Sequence, residues 1–163
     1  DPEMSRGLGD VYKRQVLMAA EAYNETGTDR QKAWDLLNSV RTRAEATSIT
    51  EANYDEMMSA RKKTHNLTFI DDSTPEGKFR TALYWERGFE LAFEGQRKYD
   101  LIRWGVLGKA LKLFGEISSV NQKENKPYPA YRNFTEGKHE LFPIPLKEIQ
   151  SNPKLNGMNN NGY

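Results

Sequence analysis

The sequence predicts an all-α protein: a helical hairpin, then a long buried helix, with long irregular loops and an extended C-terminal tail. Three observations predict it. Apolar residues recur at helical spacing in successive segments as far as Ile117. No alternating pattern of strand length appears, and glycines and prolines fall mostly at the edges of the periodic segments. At 163 residues the chain is about one domain's worth by the usual length prior.

Val16, Ala19, Ala20 and Tyr23 recur at i, i+3, i+4 and i+7, one face of a first helix. Gly27 suits the position just past its end, and Thr28 with Gln31 reads as a capping box for the next helix. That helix carries Ala33, Leu36, Leu37, Val40 and Ala44 in a single stripe. A turn this short makes the two helices antiparallel, and Ala19, Ala20, Ala22 and Ala33 permit close approach. The hairpin resembles a tetratricopeptide unit, in one copy where a self-sufficient array needs three or more.

Thr50–Lys63 reads as a weaker helix capped by Thr50, and residues 64–78 as a loop. The long helix is expected from Pro75–Glu76 to Gly105, with proline at its start and glycine past its end. "VLGKALKLFGEIS" forms a further helix, and residues 121–140 are polar and aromatic without period. In "LFPIP", Pro143 and Pro145 hold their predecessors extended, and Pro145 can open a short helix, "LKEIQ".

Composition narrows the function classes. Net charge is +1, from 24 basic and 23 acidic residues that alternate along the chain, so the basic stripe of a nucleic-acid binder is missing. With no cysteine, disulfides, thiol nucleophiles and cysteine-based zinc sites are excluded. No apolar run approaches the roughly 20 residues of a spanning helix. Asp10–Gln15, "DVYKRQ", can be encoded by GAT GTG TAT AAG AGA CAG, which resembles the end of a sequencing-transposon adapter. Residues 1–15 are therefore expected to be a non-native or disordered lead ahead of residues 16–163.

The stretch "ERGFELAFEGQRKYDLIRWG" carries the densest charge. On a helical wheel Glu86, Arg87, Glu90, Glu94, Arg97 and Lys98 share one arc of about 120°, and apolar residues fill much of the rest. A helix so apolar is buried on several sides, and covered charges must be paired. Glu94 has Arg97 and Lys98 at i+3 and i+4, and Arg87 has Glu90. Glu86 and Glu90, like charges four apart, need cations from elsewhere, and Arg41 and Arg43 are the candidates. The expected reading is a structural ionic seam. Interleaved cations hold both carboxylates ionised and leave a glycosidase no acid. No Glu-x-x-His pair offers a metal ligand set, since His65 and His139 lie in loops.

These residues closely resemble a motif of SusD/RagB-type nutrient-binding proteins, roughly E-R-x-x-E-L-x-F-E-G-x-R-x-x-D-L-x-R-W-G. Glu86, Arg87, Glu90, Leu91, Phe93, Glu94, Gly95, Arg97, Asp100, Leu101, Arg103, Trp104 and Gly105 match it. "LMAAEAYNETGTDRQKAWDLLNSVRTRA" is similar to the family's tetratricopeptide-type hairpin, and "LFPIPLKEIQSNPKLNGMNNNGY" to its C-terminal signature. The resemblance implies a surface-exposed lipoprotein of the outer membrane of Bacteroidota-type bacteria. Such a protein binds a glycan or other nutrient and covers a SusC-type TonB-dependent transporter. It implies no enzymatic activity and no catalytic cofactor. The resemblance also implies that the lipid anchor belongs to an N-terminal part missing from this chain, which makes residues 16–163 an incomplete C-terminal part of a SusD-like helical domain.

The motif carries no binding residues across, so sugar chemistry supplies them. Sugars stack their C–H faces on aromatic rings, with planar polar side chains around them. The loop residues Tyr128, Tyr131, Arg132, Asn133 and Phe134 are the candidates, with Asn125 beside them. The structural alternative is that these rings pin the loop to the core. At the level of function, the alternative is a tetratricopeptide-like scaffold for protein partners.

Overall fold

The computed structural model describes residues 2–117 and 129–163, with side chains over 12–115 and 129–163. The chain divides into two compact units, residues 1–97 and 98–163. Every regular element among the described residues is helical, as the sequence predicts.

The first unit holds α1 (Pro2–Thr26), α2 (Arg30–Arg43), α3 (Tyr54–Thr64) and α4 (Pro75–Glu90). α1 and α2 form the hairpin, with Ala20 and Ala33 fully buried beside Leu17 and Leu37. Trp34 of α2 meets Phe79 of α4 edge-on, ring centroids 4.9 Å apart. Ile49, Tyr54, Met58 and Leu83 complete this core. Removing such side chains from water is the main term holding the unit together, at about 1.5–3 kcal/mol for each large residue.

Helix starts differ from the sequence expectations in three places. α1 begins at Pro2, ahead of Val16. α2 is capped by Asp29, whose carboxylate accepts from the Lys32 amide at 2.8 Å, while the Thr28 hydroxyl turns back to Thr26. A charged acceptor one residue later holds the free amides more strongly than the expected Thr28–Gln31 box. α3 starts at Tyr54, because the Asn53 side chain accepts from the Thr50 amide at 2.7 Å and ties residues 50–53 into a turn. α4 follows the rules closely: Thr74 accepts from the Gly77 amide at 3.1 Å, with Pro75 in the first turn.

The long helix expected to end at Gly105 is two helices. α4 stops at Glu90, residues 91–95 turn, and α5 spans Arg97–Arg103. Phe93 and Gly95 take φ of 66° and 72°, left-handed values that no α-helix continues through. Apolar spacing persists across the break, which is why a helical wheel passes over it.

In the second unit, α6 (Leu107–Ile117) carries a glycine at each of two positions seven residues apart. A Cβ on Gly108 would lie 2.6 Å from the Phe134 ring, and one on Gly115 would lie 2.9 Å from Tyr131. These bare positions let α7 (Pro129–Arg132) and the residue pair after it lie flat on α6. The helical turn at 129–132 also corrects the expectation of a wholly irregular 121–140 segment. α8 (Leu146–Ser151) follows Pro145.

The asparagine-rich tail has a defined task. Asn159 pairs with both backbone groups of Ile144, accepting at 2.7 Å and donating at 3.3 Å. Asn160 donates to the Phe142 carbonyl at 2.6 Å, and Tyr163 to that of Leu141 at 3.2 Å. Side-chain amides thus serve the proline-held stretch as a neighbouring strand would.

Candidate functional site

The charged residues singled out in the sequence gather in the first unit. Arg41 donates to Glu86 and Arg43 to Glu90, so two cations two residues apart on α2 meet two carboxylates one turn apart on α4. Arg41 also donates through Nε to the Thr47 carbonyl at 2.9 Å, which fixes its fork. Glu94 lies beyond the helix break and turns to Lys13 at 2.7 Å and Arg14 at 2.8 Å. Arg87 is buried on α4. Arg97 reaches back over the break, donating to the Tyr84 carbonyl at 2.9 Å with its guanidinium 3.9 Å from that ring's centroid. The guanidinium lies beside Gly88, where a Cβ would meet it in ordinary van der Waals contact at 3.5 Å.

The second unit holds the described loop candidates. Tyr128 and Asn125 lie outside the described residues. Tyr131 and Phe134 are half-buried against α6, whereas Arg132 and Asn133 are exposed. Asn133 and Phe134 line an open groove of about 620 Å³ together with Leu107, Leu111, Lys98 and His139. His139 Nδ1 accepts from the Thr135 amide at 2.7 Å, which presents the other ring nitrogen elsewhere. The groove is apolar with a few polar groups, and its volume lies within the roughly 300–1,000 Å³ of small-molecule sites. The structure thus brings two loop candidates together at one groove. It places Tyr131 against Gly115 of α6.

A further cluster in the first unit escaped sequence reasoning. Trp85 and Phe89 of α4 lie nearly parallel, planes 15° apart and centroids 6.0 Å apart. The Arg61 guanidinium of α3 sits 5.3 Å from the first centroid and 4.5 Å from the second. His65 meets Trp85 edge-on at 6.1 Å. Burial and the nearby charge of Arg41 lower the Arg61 pKa from its ordinary value. The i, i+4 spacings Arg61–His65 and Trp85–Phe89 were visible signals, but nothing local says that the two faces meet.

Comparison with known proteins follows the same residues. A family model described as the SusD family matches residues 8–163. The chain is 37% identical over 158 residues to the SusD-like protein P25 of Formosa agariphila, covering 96% of this chain and 24% of that protein. It is 32% identical over 152 residues to the SusD-like protein P2 of the same organism, covering 93% and 25%. The chain therefore spans about a quarter of the length of these curated relatives. No solved structure gives a significant match.

Proposed function

Because the chain belongs to the SusD family, we propose that it is part of a non-enzymatic glycan- or nutrient-binding component of an outer-membrane uptake complex. In this reading the whole protein works with a SusC-type TonB-dependent transporter at the cell surface. It is held there by an N-terminal lipid anchor outside this sequence. Among the described residues no helix is long and apolar enough to cross a membrane.

The observation that carries the binding function is the groove beside Asn133 and Phe134. Its leucines suit the C–H face of a sugar ring, and Lys98, Asn133 and His139 offer polar contacts around it. Its openness suits a polymer that must be passed on, because an exposed site releases what it holds.

Affinity gel electrophoresis of this chain against plant, host and microbial polysaccharides tests the reading. We expect retardation by one polysaccharide class, weakened in Asn133→Ala and in Phe134→Ala. Retardation unchanged in both variants withdraws these loop residues. Absence of retardation on every polysaccharide removes the binding function from this part of the protein.

A further inference from the structure

We propose a second ligand site on the first unit, where α3 meets α4. It takes an anionic sugar ring, one bearing a carboxylate or a sulfate. Arg61 pairs with the anion, and the Trp85–Phe89 surface covers the ring's C–H face. This inference rests on the sugar-binding reading but uses none of the groove residues.

Arg61 is the outlier among its neighbours. Arg30, Arg41, Arg43 and Arg80 each meet a carboxylate. The Arg61 guanidinium makes no ion pair or hydrogen bond among the described residues; its contacts are with the two rings. A guanidinium stacked on aromatic faces keeps its in-plane N–H donors unspent, and those donors match a carboxylate or sulfate. No surrounding carboxylate forms an ion pair with it, and Glu86 acts on it only at a distance. Glu86 is taken by Arg41, while Lys62 takes Asp72 at 2.7 Å and also meets Asp55. Arg61 is therefore a cation of this surface with no carboxylate in contact, and an anion suits it.

The rings select a ring. Phe89 is 54% exposed beside Trp85, and an aromatic face this open gains most from an apolar cover. Asn66 and His65 border the same surface and offer polar contacts to hydroxyls. The notch between the helices holds about 10 Å³, room for roughly one water. The ligand must therefore lie on the surface. One sugar residue then binds weakly, and a polymer repeating the anion gains by multiple engagement.

Saturation-transfer NMR titration of this chain separates the possibilities, with sodium glucuronate, galactose 6-sulfate, glucose and acetyl-aspartate amide as probes. The expected result is that glucuronate or galactose 6-sulfate binds roughly tenfold or more tightly than glucose, in line with a charge-assisted hydrogen bond. Arg61→Gln should erase that preference, and Phe89→Ala should weaken both anionic sugars. Comparison of the two anionic sugars tells carboxylate from sulfate. Asn133→Ala should change nothing here, which separates this site from the groove. Equal binding of glucose, a preference surviving Arg61→Gln, acetyl-aspartate amide binding as tightly as the sugars, or no binding by any probe each overturns the proposal. Polysaccharide retardation sensitive to Asn133→Ala but not to Arg61→Gln would overturn this site and leave the groove reading standing.

Discussion

Arg41 and Arg43 are two residues apart, and each meets a glutamate of α4, yet their energetic weights differ. The Arg41 and Glu86 side chains are 10% and 7% exposed, whereas Arg43 is 61% exposed. Removing Arg41 strands a buried carboxylate, a change that costs about 3–5 kcal/mol. Removing Arg43 takes away a solvated partner and leaves Glu90, itself 10% exposed, with Lys13 at 3.5 Å, so the loss should be smaller than for Arg41. Urea denaturation of Arg41→Ala and Arg43→Ala should show that contrast, and equal losses would contradict it. Tyr54 gives a pH signature of its own. It is fully buried and donates to Asp72 at 2.7 Å. Burial foremost raises its pKa, with Asp72 adding to the rise and Thr81 opposing it. The unfolded chain releases the phenolic proton from about pH 10, while the folded chain still holds it. Folded protein then binds more protons, so stability falls as pH rises beyond that point. Thermal melts of Tyr54→Phe should show a shallower alkaline decline than the parent chain.

At the scale of the element, the break after α4 has the sharpest consequence. Phe93 holds φ of 66° with its ring fully exposed, a conformation that a large L-residue adopts at a cost of about 1–2 kcal/mol. Asparagine tolerates the left-handed region, and no packing is lost with the ring. Phe93→Asn should therefore stabilise the chain by about 1 kcal/mol in chemical denaturation, and a clear loss of stability would show that the ring contributes. The break was only half legible. Gly95 could be read as a helix stop, but Gly88 in the same motif lies within the helix. Spacing cannot distinguish a glycine that ends a helix from one that sits inside it. The caps were legible in kind and off by a few residues. Thr28 and Asp29 are both capable caps, and the Asp29 carboxylate takes the Lys32 amide, whereas Asn53 precedes α3 without a side-chain cap bond.

For the whole molecule, the expectation that residues 1–15 are a non-native lead stands as a proposal. In this chain Lys13 and Arg14 pair with Glu94, whose side chain is 19% exposed. Trimming to Val16 should cost under about 1 kcal/mol, because Arg43 still serves Glu90 and Glu94 gains access to water. A cooperative melt near the parent temperature would fit a dispensable lead, and collapse of the first unit would show that the residues belong to it. By itself the sequence determined the all-α class, the α1–α2 hairpin and the need for cations opposite Glu86 and Glu90. These follow from periodicity and from the cost of an unpaired buried charge, which act within a few turns of chain. Only the tertiary structure decided that α4 ends at Glu90, that Tyr131 rests on Gly115, and that Arg61 lies over Trp85 and Phe89. Arg61 and Trp85 are separated by 24 positions. Contact between them depends on how two helices pack, and helical spacing fixes only the face each side chain occupies on its own helix.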